Sequence, residues 1–121
     1  MYTLQELKDA VVELCKNNTP IPKTKDRYTH ILKVAVAKIY GDEKDSFYYS
    51  IGSLSIKAVP FDTLYAAYQR LTETGTFSRA WYRETFPAEA RSRPCNFTTI
   101  GGVLVVLGFA EYMENGVYRR K

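Results

Sequence analysis

The chain is poor in the residues that announce chemistry. It has one histidine, His30, one tryptophan, Trp81, and two cysteines, Cys15 and Cys95. No serine or cysteine motif accompanies His30, so nothing points to a nucleophilic triad. Neither cysteine sits in a CxxC or Cys/His cluster, which argues against a zinc site. Two reduced thiols of a cytosolic protein are the plainer reading, and a Cys15 to Cys95 disulfide is the alternative. Gly101-Gly102 matches no phosphate-binding loop. No apolar run approaches the length of a membrane span. The opening MYTLQELKDAVVELCKNN mixes charged and apolar residues, unlike a signal peptide. These absences predict a cytoplasmic protein with no metal, no cofactor, no catalytic residues and no membrane partner.

What is present is a foldable core. Of 121 residues, 45% are hydrophobic and 14% aromatic. That suffices for a single domain and argues against disorder. The net charge of +4 permits an anionic partner without requiring one. Its distribution says more. Met1 to Thr76 is nearly balanced, whereas Phe77 to Lys121 carries Arg79, Arg83, Arg91, Arg93, Arg119, Arg120 and Lys121 against four carboxylates. Arginine is the better fork for phosphate and guanine edges.

Read in order, Thr3 to Lys16 is an amphipathic helix. Thr3 and Glu6 have capping-box spacing, and Leu4, Leu7, Val11, Leu14 and Cys15 form one stripe. Asn17 to Pro22 breaks it. Asp26 to Tyr40 reads as a second helix, because Tyr28, Ile31, Leu32, Ala35, Val36 and Ile39 recur at helical spacing. Its β-branched content leaves a strand as the alternative, and His30 falls on its surface. Gly41 to Ser46 reads as an exposed loop. Leu54, Ile56 and Ala58 alternate with Ser53, Ser55 and Lys57 as in a half-buried strand, with Phe47 to Ser50 as a hairpin partner. Pro60 to Thr72 is a helix with Asp62 as N-cap, and Gly75 ends it. Ser78 caps a short helix through Thr85, which Pro87 stops. Ala88 to Pro94 is a polar connection. Asn96 caps a helix through Leu107, closed by Gly108. Phe109 to Met113 and Val117 to Arg120 form a hairpin across Asn115-Gly116, the strongest short hairpin signal.

From about residue 54 to 121 this order resembles a winged helix–turn–helix. The implied fold class is α+β, a winged helix–turn–helix with an N-terminal helical extension over residues 1–45. The resemblance implies a small non-enzymatic DNA-binding protein, a transcription regulator or accessory factor, acting on double-stranded DNA as a dimer. Its DNA contacts would come from Arg79, Arg83, Arg91, Arg93, Asn96, Thr98, Thr99, Arg119 and Arg120, with the helix at 96–107 in the major groove and the hairpin as wing. The residues fit only half of this. Val103, Val105 and Val106 join Ile100, Leu104 and Leu107, so that helix is apolar nearly all round, as buried helices are. The other reading is therefore a winged-helix protein–protein interaction module or a subunit of a larger assembly.

Three further patterns each have a sharp and a plain explanation. Tyr48, Tyr49, Tyr112 and Tyr118 can stack on bases, or pack in core and sheet. Trp81 reads as core. Asp42, Glu43 and Lys44, with Asp26, have the form of a metal-dependent nuclease site. A solvated acidic loop explains them as well.

Overall fold

The computed structural model describes residues 1–23, 26–52 and 55–121. The protein mixes α and β. Helix α1 (Leu4–Lys16) starts on the expected capping box. The Thr3 hydroxyl accepts from the Glu6 N–H at 3.1 Å, and the Glu6 carboxylate accepts from the Thr3 N–H at 3.0 Å. Leu7, Val11 and Leu14 are its buried stripe.

Residues 26–40 are not the expected helix. After a short ladder of β1 (Ile21–Pro22) with β2 (Tyr28–Thr29), they form β3 (Ile31–Ile39), antiparallel to β4 (Asp42–Ile51). His30 lies between β2 and β3. The N-terminal part is thus one helix followed by strands, and the helical extension is corrected accordingly. Both faces of β3 carry apolar residues, Leu32, Val34 and Val36 on one and Ala35, Ala37 and Ile39 on the other. A strand apolar on both faces hides its period of two, and β-branched residues favour it. The expected loop at 41–46 shrinks to a two-residue turn, Tyr40-Gly41, at φ 52° and 87°. Charged residues of β4 pair in register with β3, Asp42 with Ile39 and Glu43 with Lys38.

The hairpin between β4 and β5 (Ser55–Pro60) forms as expected. Ser53 and Leu54, part of that reading, lie outside the described residues. Ala58 is buried, but Ile56 is 64% exposed and not the core residue the alternation implied. Helix α2 (Phe61–Thr74) follows β5 directly. Pro60 is its N-cap residue, with no side-chain cap, so Asp62 sits inside the first turn. There its charge favours the helix N-terminus, and Lys44 lies 3.8 Å away. Gly75, at φ 87°, ends α2.

Next comes β6 (Thr76–Ser78), then α3 (Arg79–Thr85), capped by the Ser78 hydroxyl as expected. Pro87 does not close the helical region. It opens a further helix, α4 (Pro87–Ser92), where the sequence suggested a connection. Proline suits a first helical turn because the N–H it lacks has no partner there. Helix α5 (Asn96–Val106) leads to β7 (Ala110–Tyr112) and β8 (Val117–Arg120). The second sheet has the order β6-β8-β7. Its first strand is therefore β6, after α2, and not β5, which belongs to the first sheet.

One core runs through both halves. It joins Leu7 and Val11 of α1, Phe47 and Tyr49 of β4, Leu64 and Leu71 of α2, Phe97 and Ile100 of α5, and Tyr118 of β8. Helix α5 lies between the sheets. A Cβ on Gly101 would stand 2.0 Å from the Tyr118 ring, and one on Gly102 would stand 2.1 Å from the Pro22 carbonyl oxygen. The glycine pair exists for that double approach.

Candidate nucleic-acid interface

Helix α5 occupies the chain position of a recognition helix, but both sides of its first two turns are covered. Asn96, Phe97, Thr99 and the run Ile100 to Leu104 are buried. Asn96 does not cap the helix, since the N-cap is Cys95. Its side chain ties four elements together instead. Asn96 Oδ1 accepts from the Tyr49 hydroxyl at 2.6 Å. Asn96 Nδ2 donates to the Ala58 carbonyl at 3.1 Å and to Glu89 Oε1 at 3.2 Å. The other Glu89 oxygen accepts from the Thr63 hydroxyl at 2.9 Å. Burial raises the Tyr49 and Tyr82 hydroxyl pKa values far above the ordinary range, and the nearby Glu89 carboxyl adds to the effect.

This corrects two expected DNA contacts. Asn96 and Thr99 have no exposed surface, and the Thr99 hydroxyl donates back to the Cys95 carbonyl at 3.3 Å. Thr98 is half-buried, with its hydroxyl on the same carbonyl at 3.2 Å. It opens onto a cleft of about 440 Å³ that also involves Lys23, Arg27, Tyr28, Ser50 and Cys95. The Lys23 ammonium donates to the Cys95 carbonyl at 3.1 Å and stands 4.8 Å from the centre of the Tyr49 ring. Burial lowers the Lys23 pKa, and Cys95 opposes that shift. Among the described residues, the cations that line this cleft with Thr98 are Lys23 and Arg27. Sequence reading had no signal for this, because the β1–β2 ladder that brings them to α5 pairs only two residues a side.

The arginines do not form one face. Arg79 sits beside the Asn115-Gly116 turn. Its N–H donates to the Gly116 carbonyl at 2.9 Å, and its guanidinium carbon is 4.5 Å from the centre of the Phe97 ring. Arg83 lies one turn on and is exposed. Arg91 and Arg93 end α4 on another side, next to the first sheet. The Arg93 guanidinium carbon lies 5.7 Å from the centre of the Tyr40 ring, beside a cleft of about 360 Å³ between the β3–β4 hairpin and α4. Arg119 pairs with Glu111 across the wing. The Arg120 guanidinium donates to the Thr72 carbonyl at the end of α2, where a cation offsets the helix dipole. Among the described residues no carboxylate lies within ion-pair distance of Arg79, Arg83, Arg91 or Arg93.

The tyrosines divide. Tyr49 and Tyr118 are buried in the core, Tyr48 is half-buried, and Tyr112 is exposed. Trp81 is half-buried, with its ring against Phe77 and Phe86. Asp42 and Glu43 are successive strand residues, so their side chains point to opposite faces of the sheet. Among the described residues no cluster of three His, Cys, Asp or Glu side chains is placed to hold a metal. Both cysteines are free thiols, and no described helix is long and apolar enough to cross a membrane.

No protein-family model, curated protein or solved structure matches the chain.

Proposed function

We propose that residues 61–120 form a winged helix–turn–helix unit of a cytoplasmic, non-enzymatic protein that contacts duplex DNA through its backbone, as an accessory factor or regulator. The element order supports it: helix α2, strand β6, helices α3 and α5, then strands β7 and β8, with β8 between β6 and β7. Helix α4 is an insertion into that plan. The observation carrying the functional reading is the Arg79 contact with Gly116, which sets Arg79 beside the wing turn, with Arg83 exposed one turn further along α3. Such cations hold phosphates and do not read bases. The burial of Asn96 and Thr99 removes the polar groups α5 would use for base edges, so the binding is sequence-independent.

Titration of the full chain with mixed-sequence duplex DNA at low and moderate salt tests this. Binding should weaken steeply with salt, by a log–log slope of about −0.9 for each phosphate neutralised. Arg83→Glu should weaken it about tenfold or more, with an unchanged melting temperature. Absence of binding at low salt sinks the DNA reading. The second reading, a protein–protein interaction module, is favoured by a different observation, the uncovered edge of the first sheet.

A further inference from the structure

We infer that the outer edge of β3 is a self-association site, at which two copies of the chain join their first sheets into one six-stranded antiparallel sheet about a two-fold axis through Ala35. The inference is independent of DNA binding.

The edge follows from the hairpin. The two-residue turn at Tyr40-Gly41 leaves Ile39 opposite Asp42 as its closing, hydrogen-bonded pair. Bonded and non-bonded pairs alternate along an antiparallel ladder. Lys33, Ala35 and Ala37 therefore bond inward to β4, while the N–H and C=O groups of Val34, Val36 and Lys38 point outward. The far side of the sheet confirms this phase, because Ala58, opposite Tyr48, offers its carbonyl outward to Asn96. In the sheet β3 pairs with β4 alone. Among the described residues the one side-chain hydrogen bond on an outward group of β3 is the Tyr48 hydroxyl on the Val36 carbonyl, at 3.3 Å, and that oxygen keeps a second lone pair.

The strand is also apolar where soluble edges are guarded. Leu32, Val34 and Val36 are 47%, 39% and 55% exposed. No proline interrupts Ile31 to Ile39. The two lysines would be the guards, but they do not prevent self-pairing. A two-fold axis perpendicular to a sheet opposes only residues whose numbers differ by an even count, so Lys33 never faces Lys38 of the second copy.

The sequence favours one register. About Ala35 the segment ILKVAVAKI is symmetric at two pairs, Val34 with Val36 and Ile31 with Ile39. Centred there, Val34 meets Val36 of the other copy twice and Lys33 meets Ala37, and the irregularity at Leu32 bounds the regular seam. The Val34 and Val36 backbone groups that point outward then bond each other reciprocally. Growth stops at two copies. On β5 the outward Ala58 carbonyl is already taken by Asn96, and Pro60 has no N–H to offer. A sheet that can extend at one edge closes as a pair and does not form a fibre.

Sedimentation equilibrium of the full chain from about 1 to about 500 µM tests this, a range covering weak dimers. A monomer–dimer equilibrium is expected, and a monomer across the whole range overturns the proposal. Val36→Lys should weaken association by about 100-fold or more, with the melting temperature of the monomer kept. Adding Val34→Asp should restore the dimer, because the introduced carboxylate of each copy would face the introduced ammonium of the other. A dimer indifferent to Val36→Lys, or one that Val34→Asp fails to rescue while both variants stay folded, overturns the β3 seam. The outcome leaves the DNA titration unaffected, since Arg79 and Arg83 lie on α3.

Discussion

Two three-stranded antiparallel sheets hold six of the eight described strands, beside the short β1–β2 ladder, and they are built to opposite specifications. The first, β3-β4-β5, has strands of nine, ten and six residues. The second, β6-β8-β7, has strands of three, four and three. Each contains a turn in which two successive residues have positive φ, Tyr40-Gly41 in one and Asn115-Gly116 in the other. The short sheet is surrounded by its own chain. Its β8 packs Tyr118 on Gly101 and Phe97, and the Lys121 N–H donates to the Phe109 carbonyl at 3.0 Å. The long sheet has one edge closed at Ala58 by Asn96, while at the other, where α1 packs against β3, no further strand pairs among the described residues. Length explains the difference. A strand of three residues leaves almost no edge to pair, whereas one of nine leaves several outward groups that something must meet.

Helix α5 meets the short sheet at Gly101 and the β1–β2 ladder at Gly102, and these glycines are the most direct way to break one connection and keep the other. Gly102→Ala drives a methyl into the Pro22 carbonyl of β1, a backbone atom that cannot swing aside. It should cost about 3 kcal/mol or more in urea unfolding. Gly101→Ala meets the Tyr118 ring, a side chain with some freedom, and should cost somewhat less. Hydrogen exchange separates the two, with faster exchange around β1 for the first and in β8 for the second. Equal effects on both regions would show that α5 transmits strain across the core as a rigid rod.

Asn96→Ala tests the closed edge of the long sheet. It removes partners from the Tyr49 hydroxyl, the Ala58 carbonyl and the Glu89 carboxyl at once. Leaving buried groups unsatisfied costs about 1–3 kcal/mol each, offset where water enters, so a net loss of about 2–4 kcal/mol is expected. A melting temperature unchanged from the parent chain would mean that the β5 edge is held by α5 packing alone.

The buried tyrosines supply a test by pH. Burial raises the Tyr118 pKa to about 12, with Tyr112 adding and Arg79 opposing. A pKa raised on folding means the folded state holds the proton more tightly. The contribution is whole below pH 10, the unfolded phenol value, and is lost as pH rises toward about 12. Two units correspond to about 2–3 kcal/mol. The phenolate absorbance of Tyr118 should therefore rise together with unfolding. Tyr118→Phe removes the term, so the loss of stability between pH 10 and 12 should shrink. A loss of the same size in that variant would place the alkaline transition on Tyr49 or Tyr82 instead.

The two sheets also differ in how far the sequence announces them. Asn115-Gly116 names its own turn, because both residues tolerate positive φ, and the β7–β8 hairpin was legible from that dipeptide. Tyr40-Gly41 adopts the same conformation without the signature, and Gly41 reads equally well as a helix C-cap. With the turn hidden, Ile31 to Ile39 lost its partner, and a strand apolar on both faces fits the helical period too. Helix α1 was legible because its cap and stripe agree. The burial of α5 was legible in its valines, but the role of Asn96 was not. A polar residue before an apolar run looks like a cap, and only the long-range placement of Tyr49, Ala58 and Glu89 turns it inward. The arginines scattered for a related reason: α4, unseen behind Pro87, carries Arg91 and Arg93 away from Arg79 and Arg83.

The smallest expected effects compare the turns themselves. Gly41→Ala and Gly116→Ala each force a Cβ into positive φ, at a cost of about 1 kcal/mol. A Cβ at Gly41 meets nothing within 4 Å, so its cost is the backbone term alone. One at Gly116 lies 3.2 Å from Arg79 Cβ, which must shift and carry its guanidinium off Phe97. The wing substitution should therefore be the more costly by a few tenths of a kcal/mol, measured as the difference between two urea midpoints at constant slope. It should also weaken any DNA binding that depends on Arg79 lying beside the wing, while Gly41→Ala leaves binding intact. If both lower stability equally and neither alters DNA binding, then the turns differ only in how they are spelled, and the Arg79 contact positions nothing.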